Sequence, residues 1–171
     1  MAARSSTPQG FQPEPSHSVR PLPLDRIDRA ILERLVDDAR LPNNALAAAV
    51  GIAPSTCLGR VRALRERGVI RGFHADVDPV AVDRPMQAMI AVRMQSHARA
   101  RISEFAAQMA LLPEVLDVFF LAGADDFLVH VAARDTDNLR HFVVVNLSGN
   151  PDVALTETNL IFQHLRSTLR W

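Results

Sequence analysis

Five arginines lie close together between Pro54 and Arg71, a stretch in which Glu66 is the only acidic residue. They are Arg60, Arg62, Arg65, Arg67 and Arg71. Clustered guanidinium groups neutralise phosphates, which is what binding to a nucleic-acid backbone requires. The formal net charge of the whole chain is zero, so this positive charge is local. A run of charges is ordinarily a solvated helix face, so the cluster predicts contact with double-stranded DNA only through the elements that carry it.

Other kinds of chemistry find little support in the sequence. The single cysteine, Cys57, has no Cys or His near it at metal-ligand spacing, so we expect neither a disulfide nor a metal site. The histidines from His74 to His164 fall on separate predicted elements and suggest no catalytic arrangement, so we expect no enzyme and no cofactor. The apolar stretches are too short to span a bilayer, and none follows a basic start as in a signal peptide. We therefore expect a cytoplasmic protein with no membrane partner.

Three helices are predicted around the arginine cluster. The first opens with Asp25 as its N-cap and carries an apolar stripe to about Ala39. Asn43 is expected to cap a short second helix over residues 44–50, which Gly51 ends. The third helix begins at Pro54, whose missing N–H is tolerated in a first turn, and runs to Gly68. A tight turn between the second and third helices is typical of a helix-turn-helix, in which the later helix enters the major groove.

The third helix is expected to have one face in the core and one toward DNA. Cys57, Val61 and Leu64 recur at helical spacing and predict the buried face. The opposite face then presents small, polar and basic side chains that suit bases and phosphates. The predicted DNA-contacting residues are Ser55, Thr56, Gly59, Arg60, Arg62 and Arg65.

The second half of the chain shows a different pattern, in which strands alternate with helices. The predicted elements are a strand over 86–94, a helix over 102–109, a buried strand over 115–122, a strand over 127–132, a helix capped by Thr136 or Asp137, and a strand over 153–164. The order β-α-β-β-α-β is that of a ferredoxin-like sheet with two helices on one face. Because the strands are so apolar, we expect a second chain to cover the other face and form a dimer.

The predicted fold class is therefore α+β, with an N-terminal, winged-helix-like helix-turn-helix domain and a C-terminal ferredoxin-like βαββαβ domain. The expected divisions are a disordered arm over residues 1–23, the DNA-binding domain over 24–72, an extended hinge over 73–85, and an oligomerisation and effector-binding domain over 86–171.

Several segments resemble the leucine-responsive and asparagine-responsive regulators, the Lrp/AsnC family. The resemblance covers about Leu24 to Leu169 and is carried by residues 24–28 at the start of the first helix, 51–57 through the turn, and 123–128 with 153–162 in the second domain. It implies a sequence-specific transcriptional regulator. An architectural protein that binds DNA without an effector is the alternative.

The resemblance also implies an amino-acid effector, bound between dimers of the second domain, and a higher assembly such as an octamer. The implied effector-binding residues are Gly123, Ala124, Asp125, Asp126, Thr156 and Thr158. The other interpretation is that the aspartates only form a hairpin turn and the threonines only favour a strand.

Three positions depart from the family's usual pattern. Ala53 stands where the family usually has Ser, which removes a helix cap, and Gly59 replaces a longer side chain. Asp125 stands where an aromatic residue or His is common. The operator and the effector therefore cannot be taken over from relatives.

Overall fold

The computed structural model describes residues 23–165. The arm predicted before residue 23 and the end of the predicted C-terminal domain lie outside these residues. The described part of the chain separates into two compact units, residues 23–76 and residues 77–164. The boundary between them falls inside the segment predicted as a hinge.

The first unit contains the three predicted helices. They are α1 (Arg26–Asp37), α2 (Asn43–Val50) and α3 (Pro54–Glu66). Their inward faces form one apolar core of buried side chains, which are Ile31, Leu32, Leu46, Ala47, Cys57 and Leu64. The predicted helix-turn-helix arrangement is confirmed.

Local interactions set where these helices begin and end. The Asp25 carboxylate accepts a hydrogen bond of 2.7 Å from the Asp28 N–H, as expected of the N-cap of α1. Gly51 ends α2 with a φ of 72°, a left-handed conformation that glycine adopts without strain. The prediction that Asn43 caps α2 is wrong. Asn43 is already helical, and its side-chain amide donates instead to the Pro54 carbonyl, 2.9 Å away, across the turn to α3.

The second unit has the predicted order of strands and helices. Its main elements are β1 (Met86–Met94), α4 (Ile102–Met109), β2 (Val115–Phe120), β3 (Phe127–Ala133), α5 (Thr136–Val143) and β4 (Val153–Ile161). Short 3₁₀ helices span Val80–Val82 and Ser96–Arg101, and a π-helical turn over Val144–Ser148 continues α5. The strands form one antiparallel sheet in the order β2-β3-β1-β4, which confirms the ferredoxin-like topology.

The sheet has one face covered by the helices and one that we term the open face. Alternate residues of β1 and β3, such as Ile90 and Val129, pair across the strands and point into a core with α4 and α5. Phe127 is fully buried there, and its ring lies 5.5 Å from that of Phe105 on α4. The remaining residues of each strand point to the open face.

Three details of the second unit differ from prediction. The second strand ends at Phe120 rather than at residue 122. It is not buried, because β2 is an edge strand and no other described element covers much of its surface. The last strand ends at Ile161 rather than at residue 164. The cap of α5 is Asp135, not Thr136 or Asp137, because the Asp135 carboxylate accepts the Asn138 N–H at 2.7 Å.

Candidate DNA-binding face and effector site

The side of α3 that points away from the core brings together five of the six predicted DNA-contacting residues. All five are exposed, and we call them the outer face: Ser55, Thr56, Gly59, Arg62 and Arg65. On the inner side, Cys57 and Leu64 are fully buried, as predicted, and burial raises the pKa of the Cys57 thiol. A neutral, enclosed thiol fits a packing role. That the outer face contacts DNA stays a prediction.

None of the residues described by the structure packs against the outer face. A Cβ built on Gly59 would meet no atom within 4 Å, so the fold does not require glycine at this position. Among the described residues, none forms an ion pair or hydrogen bond with the side chain of Arg62 or Arg65. These two guanidinium groups are available to phosphates or base edges.

The start of α3 also has unsatisfied donors. Ala53 is the N-cap, and no side-chain oxygen accepts a hydrogen bond from the first turn of the helix. The N–H groups at a helix N-terminus carry partial positive charge and bind anions. Since Ser55 and Thr56 lie in this first turn, the N-terminal end of the outer face suits a phosphate or base edge.

Arg60 is placed differently from the other predicted residues. Its Nη1 atom lies 2.6 Å from Asp25 Oδ2 and 2.8 Å from Asp28 Oδ1, so its side chain points toward α1 rather than away from the core. The Asp28 N–H and the Arg60 guanidinium hold the pKa of Asp25 below its ordinary value, and the contacts with the Asp25 and Asp28 carboxylates raise the pKa of Arg60. Sequence periodicity alone did not indicate this ionic contact.

In the second unit, the turn between β2 and β3 is tied to β1 by side chains. Arg93 donates from Nε to the Ala124 carbonyl at 2.8 Å, and its Nη2 lies 3.2 Å from Asp125 Oδ1. The Asp126 carboxylate accepts the Met94 N–H at 2.8 Å, and Asp126 donates its own N–H to a β1 carbonyl. The turn is therefore fixed in place, and Arg93 is a residue of this site that the sequence did not reveal.

The predicted threonines lie two strands away from this turn. Thr156 pairs with Val92, which pairs in turn with Phe127 at the base of the turn, so all three share one row across the sheet. Two strand spacings amount to roughly 10 Å. The Thr156 hydroxyl is 3.3 Å from that of Ser148. Thr158 lies two residues further along β4, opposite Ile90. The turn and Thr156 thus occupy the same end of the sheet.

Within residues 23–165, no cluster of three or more His, Cys, Asp or Glu side chains is placed to hold a metal ion. No helix in that range is long and apolar enough to cross a membrane.

Comparison with known proteins covers both units. The family model described as "Lrp/AsnC ligand binding domain" matches residues 87–170, and the one described as "Winged helix-turn-helix DNA-binding" matches residues 24–71.

Named relatives extend this similarity over most of the chain. The HTH-type transcriptional regulator AldR of Mycobacterium tuberculosis is 62% identical over 151 residues, which cover 88% of this chain and 84% of the relative. AldR of Mycolicibacterium smegmatis is 60% identical over 166 residues, which cover 97% of each chain. The solved L-Met complex of a transcriptional regulator from Neisseria meningitidis is 32% identical with a TM-score of 0.78, covering 85% of this chain and 94% of that one.

Proposed function

This chain belongs to the Lrp/AsnC family and is a DNA-binding transcriptional regulator with a ligand-binding domain, and from this premise we propose that its outer face selects a specific DNA sequence under the control of an amino-acid effector. The observation that carries the proposal is that the outer face is exposed, partly cationic and unused in packing. An exposed helix face of small and basic residues fits the major groove, where base edges differ from one base pair to another.

Sequence selectivity is tested with duplexes chosen from a random library by the purified protein. A regulator should bind the selected duplex at least about 10³-fold more tightly than a scrambled duplex of the same composition. Similar affinities for both would instead indicate the architectural alternative. Fluorescence anisotropy over a range of salt concentrations measures both quantities.

The outer face is tested with Arg62→Gln and Gly59→Ala. Removing one phosphate contact at Arg62 should reduce the slope of log affinity against log salt by about 0.9. The Gly59→Ala chain should fold, because its Cβ has open space, yet bind the selected duplex differently. Arg140→Gln is the matched control, since Arg140 is an exposed arginine of the second unit and should leave the slope unchanged. An unchanged slope for Arg62→Gln would count against the outer face.

The turn at residues 123–126 supports the effector part of the proposal. Gly123 and Ala124 are exposed, and a backbone turn of this kind offers N–H groups to a carboxylate. Arg93 and Asp125 lie beside it with opposite charges, which suits a ligand that carries both a carboxylate and an ammonium group. The relative solved with L-Met also belongs to this family, which favours an amino acid as the ligand class.

Thermal unfolding with each of the twenty amino acids tests the effector. A ligand at 100 times its Kd stabilises the native state by about 2.7 kcal/mol, so binding should raise Tm. Asp125→Ala should reduce that shift while leaving DNA binding without effector unchanged. Asp137→Ala, which breaks another exposed aspartate–arginine pair in the same unit, should keep the full shift. No shift with any amino acid would contradict the proposal.

The open face supports assembly through the second unit. Phe119 and Leu155 are 46% and 53% exposed on this face, and Leu128 and Ala91 lie between them on the inner strands. These apolar side chains favour a partner that also presents a sheet, and a second copy of the chain does so. An effector bound between such dimers would favour the assembly that holds it more tightly.

Sedimentation tests this assembly. Phe119→Asp should convert the dimer to monomer, because the substitution puts a charge into the proposed interface. Leu111→Asp is the control, since Leu111 is exposed but lies outside the sheet. An unchanged sedimentation coefficient for Phe119→Asp would exclude the open face as the interface.

A further inference from the structure

Arg60 lies at the edge of the buried stripe of α3. It follows Cys57 by three residues and precedes Leu64 by four, and both of these are fully buried. At 3.6 residues per turn, such spacing places Arg60 on the same side of the helix as the core residues. Arg62, two positions later, falls on the outer face instead.

The guanidinium group of Arg60 joins two carboxylates from the start of α1. Its Nη1 lies within 2.8 Å of both Asp25 and Asp28, which are 35 and 32 residues away in sequence. Arg67, at the end of α3, places its own Nη1 3.9 Å from the other oxygen of Asp28. These four side chains form an ionic network that connects α1 to α3.

Because Asp28 is buried, breaking this network costs free energy. Its side chain is 11% exposed, and a buried carboxylate is costly unless cations and donors compensate it. If Arg60 turned toward a DNA phosphate, Asp28 would keep only the more distant Arg67 among these cations. A phosphate would thus compete with two carboxylates that are already in contact.

We propose that Arg60 acts in DNA recognition as a positioning residue, which with Asp25 and Asp28 sets the orientation of α3 against α1 and so aims the outer face at the groove. This inference rests on the proposed function. It assigns an indirect role to two acidic residues, whose charge would otherwise only repel DNA.

The test uses Asp25→Ser in the full-length protein, with the selected duplex as the probe. Serine is also a good N-cap, so the hydrogen bond to the Asp28 N–H can persist while the carboxylate nearest to Arg60 is lost. If Arg60 is a positioning residue, affinity should fall by about two- to fivefold at an unchanged salt slope. If Arg60 contacts phosphate, removing an acid beside it should strengthen binding.

Two further variants complete the test. Arg60→Gln should weaken binding without reducing the salt slope, whereas loss of a phosphate contact would reduce the slope by about 0.9. Asp135→Ser is the matched control, because Asp135 caps α5 with the same 2.7 Å hydrogen bond but lies in the other unit, and it should leave DNA binding unchanged.

The outcomes are distinct. Tighter or unchanged binding by Asp25→Ser, or a reduced slope for Arg60→Gln, overturns the inference. Should Arg60→Gln fail to fold, the sign of the Asp25→Ser effect still decides. Failure of the wild-type protein to prefer its selected duplex would overturn the proposed function instead.

Discussion

The unit of residues 23–76 and the unit of residues 77–164 place their ion pairs at different positions relative to the core. In the first, six described core residues are accompanied by an ionic network between α1 and α3. In the second, fourteen described residues form the core, and the ionic contact of Arg93 holds a turn at the end of the sheet. The comparison teaches that charged side chains connect two core helices in the first unit, whereas in the second unit pairs such as Arg93 with Asp125 and Arg101 with Asp152 tie turns and strand ends around an apolar core.

The largest expected effect comes from breaking the larger core. Phe127→Ala should cost about 3–5 kcal/mol, since its fully buried ring fills the space between the sheet and α4. Chemical denaturation measures this loss. Phe162→Ala removes a ring that is 97% exposed and should leave stability nearly unchanged. Equal losses in the two variants would show that the assigned core is wrong.

The next effect concerns the smaller core. Leu64→Ala should cost about 2–5 kcal/mol and abolish DNA binding while the second unit remains folded, because each unit has its own core. Hydrogen exchange followed residue by residue distinguishes the two units. Leu58→Ala, which changes an exposed leucine on the same helix, is the control for amide protection. Joint loss of protection in both units would mean that they unfold as one.

A smaller effect is expected at two helix N-caps, Asp25 and Asp135, whose capping hydrogen bonds are both 2.7 Å long. Asp135→Ala should destabilise α5 by about 1 kcal/mol through loss of its cap. Asp25→Ala should cause the greater loss of amide protection, in α1 and α3 together, because Arg60 also loses a partner. Amide exchange in the three helices measures both. Equal losses of amide protection in Asp135→Ala and Asp25→Ala would indicate that the ionic network adds no stability beyond the N-cap hydrogen bond.

The smallest effect is a pH dependence. Because the folded protein lowers the pKa of Asp25 from its ordinary value of 3.8, the stabilisation is fully present above that value and is lost as the pH falls through the lowered one. The Tm difference between wild type and Asp25→Asn should therefore be constant near neutral pH and close in acid. A difference that persists at the lowest pH would exclude Asp25 as the titrating group.

The order of elements was predictable because each core face repeats at the period of its own secondary structure. The buried positions of α3 and the alternation in β1 are examples. Caps were less predictable, since Asn43, Thr136 and Asp137 are all plausible caps and only the backbone conformation selects among neighbours. The exposure of β2 was missed because an apolar sequence does not say whether its cover comes from the same chain.

The sites were predictable to a different degree. Exposure of the outer face follows from helical periodicity within α3. The contacts of Arg60 and Arg93 join residues more than 30 positions apart, and their partners follow only from how the elements pack. The spacing of Arg60 from Cys57 and Leu64 is that of the core side of α3, but spacing does not record which carboxylates lie beside that side.

Because the fold does not constrain the side chains of the outer face, such a regulator could change there during evolution. Positions such as Gly59 and Arg62 can be exchanged with little penalty to folding, because both are exposed and residues 23–165 do not pack against them. If the outer face contacts DNA as proposed, mutations there would alter which DNA sequences are preferred while the scaffold persists. New regulatory targets could thus be acquired by a few substitutions in a duplicated copy, without passing through an unfolded intermediate.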